Sequence, residues 1–274
     1  TNDDNLNYAN SDFTFNAADA SFTAAGNISI GQNLIVTGKP LTSYTFSGSP
    51  LSYSYYFNST SYLQLSNTSS NLVIGTKDFT IESFVYLTSN TVTQSIVSKG
   101  AGGTDWFFGV TNAGKLYFQG ESVNPAIVTS ANSIPRNTWT HVSVSRTGGS
   151  VYLHINGFLE DNAVNSTNFN TTDVLRVGLG RGVSTAYLRG YLNNLRYVNG
   201  TGLYSGSNFT PDTANVLTSI ANTVLLTAQS STIRDNGPYG YTLTNYKGVS
   251  TNADVSPYNE LFKSFVNLLP SGNI

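Results

Sequence analysis

The segment 135–159 constrains the fold most strongly, because it reads as three consecutive strands joined by two tight turns. Apolar residues alternate with polar ones over 139–145 and again over 151–155. Gly148-Gly149 reverses the chain between these strands, and Asn156-Gly157 is a strong two-residue hairpin signal because both positions tolerate positive φ. A period of two sustained through a double hairpin predicts an antiparallel sheet with one buried face.

The composition indicates a weakly charged, hydrogen-bonding surface. Only 10% of the residues are Asp, Glu, Lys or Arg, against roughly 25% in ordinary soluble domains. The net charge is −2, so the composition does not indicate a basic surface that would bind nucleic acid. No apolar run approaches the ~18 residues of a transmembrane helix. The chain has no cysteine for disulfides or thiolate metal sites, and its start at Thr1 without any methionine suggests a processed or partial chain.

About a dozen short strands with turn signals predict an all-β antiparallel sandwich of the jelly-roll type, flanked by extensions. We expect an N-terminal arm and short-strand attachment segment over 1–49, the sandwich over 50–250, and a tail with an amphipathic helix over 251–274. Residues 222–250 either complete this sandwich or begin a missing repeat. We favour completion, because a lone two-stranded fragment is marginally stable.

Both extensions carry apolar residues that predict docking to a partner. Glycine-punctuated short strands at the N-terminal end are typical of a shaft-like repeat, although an ordinary hairpin remains an alternative. The C-terminal stripe predicts a helix that docks on a neighbouring subunit or on its own domain. The predicted docking residues are Ile28, Ile30, Leu34, Val36, Leu261, Phe262, Phe265 and Leu269.

Several segments taken together resemble the laminin G-like, concanavalin A-like sandwich family, in versions found in tailed-phage virion proteins. The segments that carry the resemblance are YYFNSTSYLQL (55–65), DFTIESFVYL (78–87), SIVSKG (95–100), WFFGVTNAGKLYF (106–118), WTHVSVSRTGGSVYLHINGFLED (139–161) and LRGYLNNLRYVNGTGLYSGSNFTP (188–211). NTVLLTAQSSTIRDNGPYGYTLTNYKGVS (222–250) recurs beside such sandwiches, often ahead of the YFNGTSYL-type segment, whereas here it follows.

The resemblance implies three alternative functions. The first is a non-enzymatic virion protein (a fibre, spike or capsid decoration) that contacts cell-surface glycan or other virion proteins as an extracellular homo-oligomer, with a trimer as the working hypothesis. The second is a secreted carbohydrate-binding or adhesion module, with calcium as its one candidate cofactor. The third is a glycoside hydrolase, which needs two carboxyl groups about 5–9.5 Å apart.

The acidic and histidine residues argue against catalysis. The glutamates are Glu82, Glu121, Glu160 and Glu260, and none has a second acid two or four residues away in a strand. Adjacent Glu160 and Asp161 would point to opposite faces. His141 and His154 lie in neighbouring strands and do not follow the apolar alternation, so we expect them at the surface or paired across the strands. We therefore predict no enzyme.

Tyrosine, with 17 copies, suggests contact with sugar rings, although aromatic residues also fill cores and interfaces. The predicted sugar-contacting residues are Tyr53, Trp106, Tyr187 and Tyr204. The calcium ion that many members of the family hold at one rim would require loop oxygens, for which the candidates are Asp105, Asp161 and Asp173.

Overall fold

A computed structural model describes residues 13–16, 21–24, 52–65, 69–100, 105–120, 126–180, 185–213, 215–253 and 255–258. The chain divides into two compact units, of which Leu51–Glu260 is one. In the other unit, strands β1 (Phe13–Asn16) and β2 (Ser21–Ala24) form an antiparallel pair. The predicted docking positions in 28–36 and the predicted C-terminal helix lie outside the described residues.

One face of the large unit is an eight-stranded antiparallel sheet. Its strands are β3 (Ser54–Asn58), β5 (Phe79–Leu87), β10 (Trp139–Thr147), β11 (Ser150–Ile155), β12 (Phe158–Val164), β14 (Arg189–Asn199), β15 (Thr223–Thr227) and β17 (Ser250–Asn252). They are hydrogen-bonded in the order β12-β11-β10-β5-β14-β3-β17, and β15 also pairs with β14.

The opposing layer is a seven-stranded antiparallel sheet. Its strands are β4 (Tyr62–Leu65), β6 (Gln94–Lys99), β7 (Trp106–Val110), β8 (Lys115–Gly120), β9 (Val128–Ser133), β13 (Leu175–Val177) and β16 (Leu243–Tyr246). They are hydrogen-bonded in the order β16-β4-β13-β6-β7-β8-β9. A 3₁₀ helix covers Ser70–Leu72. The predicted all-β sandwich is confirmed.

The double hairpin forms as the period of two predicts. It supplies β10, β11 and β12 as neighbours in the eight-stranded sheet. Its turns lie at Gly148-Gly149, with φ of 58° and 80°, and at Asn156-Gly157, with φ of 50° and 78°. At Gly157 a Cβ would lie 1.9 Å from the Phe209 carbonyl oxygen, so a side chain is excluded there by contact as well as by conformation.

The core lies between the two sheets. Ile81 and Val85 of β5 and Val142 and Val144 of β10 are all fully buried on the inner face of the eight-stranded sheet. The intervening residues Thr80, Glu82, Phe84 and Tyr86 point to the outer face, because side chains alternate across a strand. Residues 222–250 add strands to both sheets, so this segment belongs to the same sandwich, as expected.

A long irregular connection between β14 and β15 crosses the outer face of the eight-stranded sheet. We call residues 201–213 and 215–220 the strap. Its Leu203 amide donates to Thr80 Oγ1 (2.8 Å), and its Tyr204 carbonyl accepts from Thr147 Oγ1 (3.2 Å). The strap therefore covers polar positions that strand periodicity alone places at the surface.

Candidate functional site

Four aromatic side chains form a continuous row across the outer face of the eight-stranded sheet. Tyr56 of β3 lies opposite Tyr191 of β14, Tyr191 lies opposite Tyr86 of β5, and Tyr86 lies opposite Trp139 of β10. The successive ring centroids are 4.8, 5.8 and 5.6 Å apart. We call Tyr56, Tyr191, Tyr86 and Trp139 the aromatic row.

The aromatic row is held in place by the sheet and remains accessible. Each member is half-buried, whereas inward-facing neighbours such as Tyr55 and Leu192 are fully buried in the core. Burial raises the pKa of Tyr191, and the neighbouring Tyr56 and Tyr86 add to this effect. The Tyr191 phenol therefore stays neutral in ordinary buffers and keeps a hydroxyl that can donate or accept.

Polar side chains border one side of the aromatic row. Asn58 of β3 lies opposite Arg189 of β14, two residues along each strand from the Tyr56–Tyr191 pair. Thr88 lies beside them, and its amide donates to the Arg189 carbonyl (3.0 Å). Asn58 and Thr88 are exposed. The surface thus combines apolar rings with nearby hydrogen-bonding groups, which is the usual chemistry of a small-molecule or sugar contact.

Further along the same face, the strap covers a buried ionic cluster centred on Glu82. Arg196 donates to Glu82 Oε1 through Nε (2.9 Å) and Nη2 (2.6 Å). At Glu82 Oε2, the Tyr204 hydroxyl donates at 2.7 Å and His141 Nε2 lies at 3.1 Å. Glu82 is 1% exposed. Such a closed set of partners compensates a carboxylate that burial alone would destabilise.

The charge state of Glu82 follows from these contacts. Burial acts to raise its pKa, but the hydrogen bond with His141 and the charge of Arg196 outweigh burial, so the pKa is lowered. The other described glutamate, Glu160, lies at a different edge, where its oxygens accept from Asn132 (2.9–3.2 Å). The Glu82 cluster therefore joins the strap to strands β5, β10 and β14.

The two histidines lie on the neighbouring strands β10 and β11 but not at the surface, which was one of the two positions predicted for them. His141 is 2% exposed and His154 is fully buried. The strap explains this, since Phe209 packs its ring 5.7 Å from His141 and 5.2 Å from His154, and the Ser207 carbonyl lies 3.2 Å from His154 Nε2. Burial lowers the pKa of His154 despite its hydrogen bonds to the strap backbone.

The four predicted sugar-contacting residues lie in different places. Trp106 is fully buried and packs against Phe118 and Tyr197, so it belongs to the core and presents no face to a sugar. Tyr204 is engaged on both sides, because its ring stacks on Phe209 at 3.8 Å and its hydroxyl binds Glu82. These two residues correct the prediction.

The other two predicted residues remain accessible but are separate from the aromatic row. Tyr187 is half-buried beside Tyr62, with ring centroids 6.4 Å apart, and Lys247 Nζ lies 5.9 Å from its ring. Tyr53 lies just before β3 and lines a polar cleft. None of the four predicted residues belongs to the aromatic row.

The three aspartates predicted for calcium are not brought together. In the described part of the chain, no three His, Cys, Asp or Glu residues are placed to hold a metal ion. Asp161 accepts the Thr129 amide on Oδ2 and the Asn162 amide on Oδ1, both at 2.8 Å. Asp105 is buried just before β7, and the carbonyl of Asp173 accepts from the Lys99 ammonium.

The predicted docking residues are not placed by the structure. They are Ile28, Ile30, Leu34, Val36, Leu261, Phe262, Phe265 and Leu269, and all lie outside the described residues. Within the described ranges, no helix has the length and apolar character that a membrane crossing requires.

Comparisons with known proteins bear on the fold. Residues 57–214 match the model of a laminin G-type domain described as "Concanavalin A-like lectin/glucanases superfamily". No curated protein matches the chain. Among solved structures, a protein of Bacteroides ovatus ATCC 8483, titled as a candidate carbohydrate-binding protein, is 14% identical with a TM-score of 0.54, covering 73% of this chain and 59% of its own.

Two further solved structures are similar at lower scores. The native heptameric SAP-like pentraxin of Limulus polyphemus is 14% identical with a TM-score of 0.49, covering 75% of this chain and 97% of its own. Domains LG4-5 of the mouse laminin alpha1 chain are 18% identical with a TM-score of 0.45, covering 58% and 44%. The family match spans more than half of the 274 residues. The chain therefore belongs to the concanavalin A-like lectin/glucanases superfamily.

Proposed function

We propose that this chain is a non-enzymatic virion protein, a fibre, spike or capsid decoration subunit, whose laminin G-like sandwich binds glycan through the aromatic row. The observation that carries the proposal is the register of Tyr56, Tyr191, Tyr86 and Trp139 across four adjacent strands. A single exposed tyrosine is common on protein surfaces, whereas four half-buried rings aligned in one row make an extended contact surface.

The chemistry of the aromatic row suits a sugar chain. The C–H face of a sugar packs on an aromatic ring, while the tyrosine hydroxyls can exchange hydrogen bonds with sugar hydroxyls and Oγ1 of the neighbouring, exposed Thr88 can accept one. Strands in a sheet lie roughly 4.8 Å apart, so four strands present a surface about 14 Å long. An extended oligosaccharide is therefore a better fit than an isolated monosaccharide.

Two features support the virion setting. The low charged fraction of 10% gives a Ser-, Thr- and Asn-rich surface suited to close packing with other virion proteins. The sandwich segments and the 222–250 segment resemble those of tailed-phage virion proteins. In this setting the chain acts outside the cell as a homo-oligomer, attached through its terminal segments.

The arrangement of the described glutamates supports a role without catalysis. Glu82 is closed off by Arg196, His141 and Tyr204, and Glu160 is bonded to Asn132 at another edge. Neither is presented together with a second carboxyl group in an open groove, as glycoside hydrolysis requires. A β-glucan hydrolysis assay of the wild type and Glu82→Gln should show no turnover for either protein.

Glycan binding is tested with an oligosaccharide array followed by titration calorimetry on the best ligand. Tyr191→Ala and Trp139→Ala should each weaken binding by about tenfold or more, because buried Tyr and Trp contacts dominate binding energies. Tyr239→Ala is the matched control, since Tyr239 is 48% exposed and outside the row. Equal losses in all three variants, or none, would refute the aromatic row as the site.

The virion setting is tested separately by immunoelectron microscopy of purified particles with antibodies against residues 51–260. Labelling of a fibre, spike or capsid surface supports the setting. A monodisperse monomer at high concentration with no label on particles would contradict it, whatever the glycan result.

A further inference from the structure

A second surface of the same unit carries a polar cleft at the start of β3. The cleft is shallow and open to solvent, with a volume of about 660 Å³. Its walls include Tyr53, Ser231, Arg234 and Asn236. It is lined mainly by polar groups, and it does not include any member of the aromatic row.

The loop that builds the cleft is fixed by a buried carboxylate. Asp235 is 7% exposed. Its Oδ1 accepts the amides of Leu226 (3.0 Å) and Gly237 (2.8 Å), and its Oδ2 accepts the amide of Tyr241 (3.0 Å). Three backbone donors therefore satisfy this charge and hold the loop conformation before any ligand arrives.

The side chains facing the cleft are oriented by one another. Arg234 Nε donates to Asn236 Oδ1 at 2.6 Å, and Asn236 Nδ2 donates to Gln229 Oε1 at 3.4 Å. Gln229 in turn donates to the carbonyl of Leu217 at 2.7 Å. This chain of hydrogen bonds fixes the plane of the guanidinium group, which reduces the entropy lost when a ligand binds.

The two terminal nitrogens of the Arg234 guanidinium, Nη1 and Nη2, are the strongest hydrogen-bond donors that the cleft offers to a ligand. Among the described residues, Arg234 Nη1 and Nη2 have no hydrogen-bond or ion-pair partner, and the Tyr53 hydroxyl has none either. The Asp235 carboxylate does not compete with a ligand for the Arg234 guanidinium, because its oxygens accept backbone amides. A planar donor fork of this kind matches a carboxylate, which it binds through two parallel hydrogen bonds.

From this geometry we infer that the cleft binds an acidic sugar, with its carboxylate on Arg234, its ring against Tyr53 and its hydroxyls on Ser231 and Asn236. A uronic acid has the required chemistry. The site is distinct from the aromatic row and goes beyond the glycan binding proposed for it, so either site can fail without the other.

The inference is tested with an array of uronic-acid oligosaccharides, each paired with its methyl ester, and with calorimetry on trigalacturonate and its ester. Esterification removes the charge and keeps the ring. The acid should bind at least about tenfold more tightly than the ester, as expected for a charge-assisted pair. Arg234→Gln should remove this preference, and Arg234→Lys should restore little of it because lysine lacks the fork.

Two controls separate the cleft from other effects. Lys77→Gln removes one positive charge from an exposed residue outside the cleft and should leave the preference unchanged. Tyr246→Ala removes a partly exposed ring outside both the cleft and the aromatic row, and should also leave it unchanged. Equal binding of every acid and its ester, or a preference that survives Arg234→Gln, would overturn the inference.

Discussion

The Tyr204 hydroxyl donates to Glu82 Oε2 at 2.7 Å, and this bond joins the strap to the central strand of the eight-stranded sheet. The same tyrosine stacks on Phe209 with parallel rings 3.8 Å apart, and the Phe209 amide donates to the Gly157 carbonyl at 2.9 Å. The irregular strap is therefore fastened through a buried charged group at one point and through the hairpin turn at another.

Removal of the Tyr204 hydroxyl should destabilise the protein while keeping the ring stack. In Tyr204→Phe, Glu82 loses a charge-assisted hydrogen bond, which is worth about 1.5–3 kcal/mol when the acceptor is ionised. The free energy of unfolding in urea measures the loss. Tyr152→Phe is the control, because Tyr152 is also half-buried and its hydroxyl has no hydrogen-bond partner among the described residues. Equal stability of the two variants would show that the Tyr204–Glu82 bond does not fasten the strap.

Lowering the pH should reduce the free energy of unfolding through the buried groups beneath the strap, His154 and Glu82. Burial lowers the pKa of His154, so the unfolded chain binds a proton near pH 6.5 before the folded chain does, and stability falls as the pH drops below that value. The lowered pKa of Glu82 adds a second loss as the pH falls below about 4.5. Urea unfolding between pH 7 and pH 3 should show both losses, and His154→Gln should remove the first. A flat profile in the wild type would contradict this.

The strands could be predicted from the sequence because their alternation records burial directly. Val142 and Val144 mark the inner face of β10, and Asn156-Gly157 marks the turn, as the structure confirms. The strap could not be predicted, since 201–220 is polar and aperiodic and is held by side-chain contacts from distant strands. The burial of Glu82 and His141 depends on that cover, which strand periodicity alone does not reveal.

The aromatic row was missed for a different reason. Alternation places Tyr86 on the outer face of β5. It does not reveal the register of β3, β14, β5 and β10, which lie far apart in the sequence and bring four rings into line. Trp106 was predicted to contact sugar but is buried. Strand β7 is buried along its whole length, so its sequence shows no alternation that would distinguish an inner face from an outer one.

Burial of Lys99 should make the protein more stable at alkaline pH than at neutral pH, up to the point where tyrosines ionise. Burial lowers the pKa of Lys99 to about 8, against the attraction of Asp173. Below pH 8 the folded protein carries the full cost of the buried ammonium, and the cost is relieved as the pH rises from about 8 to 10.5. A shift of this size corresponds to at most roughly 3 kcal/mol.

The measurement compares Lys99→Met with the wild type by urea unfolding at pH 7 and pH 10. The variant should be the more stable protein at pH 7, and its advantage should shrink at pH 10. Lys77→Met, at an exposed position, should show no such trend. A Lys99→Met protein that is less stable at pH 7 would mean that the hydrogen bond to the Asp173 carbonyl outweighs the cost of burial.

Asp161 should act as a structural link between the edges of the two sheets, independent of calcium. Its Oδ2 accepts the Thr129 amide of β9 at 2.8 Å, and the neighbouring Glu160 Oε2 accepts the Asn132 amide at 2.9 Å, so carboxylates on β12 satisfy donors on the opposing edge strand. Asp161→Asn should lower the free energy of unfolding by about 1 kcal/mol, with or without EDTA. Thermal unfolding of the wild type, and its glycan binding, should be unchanged by added calcium or by chelation. A calcium-dependent rise in the Tm of the wild type that Asp161→Asn abolishes would show instead that this carboxylate serves a metal site.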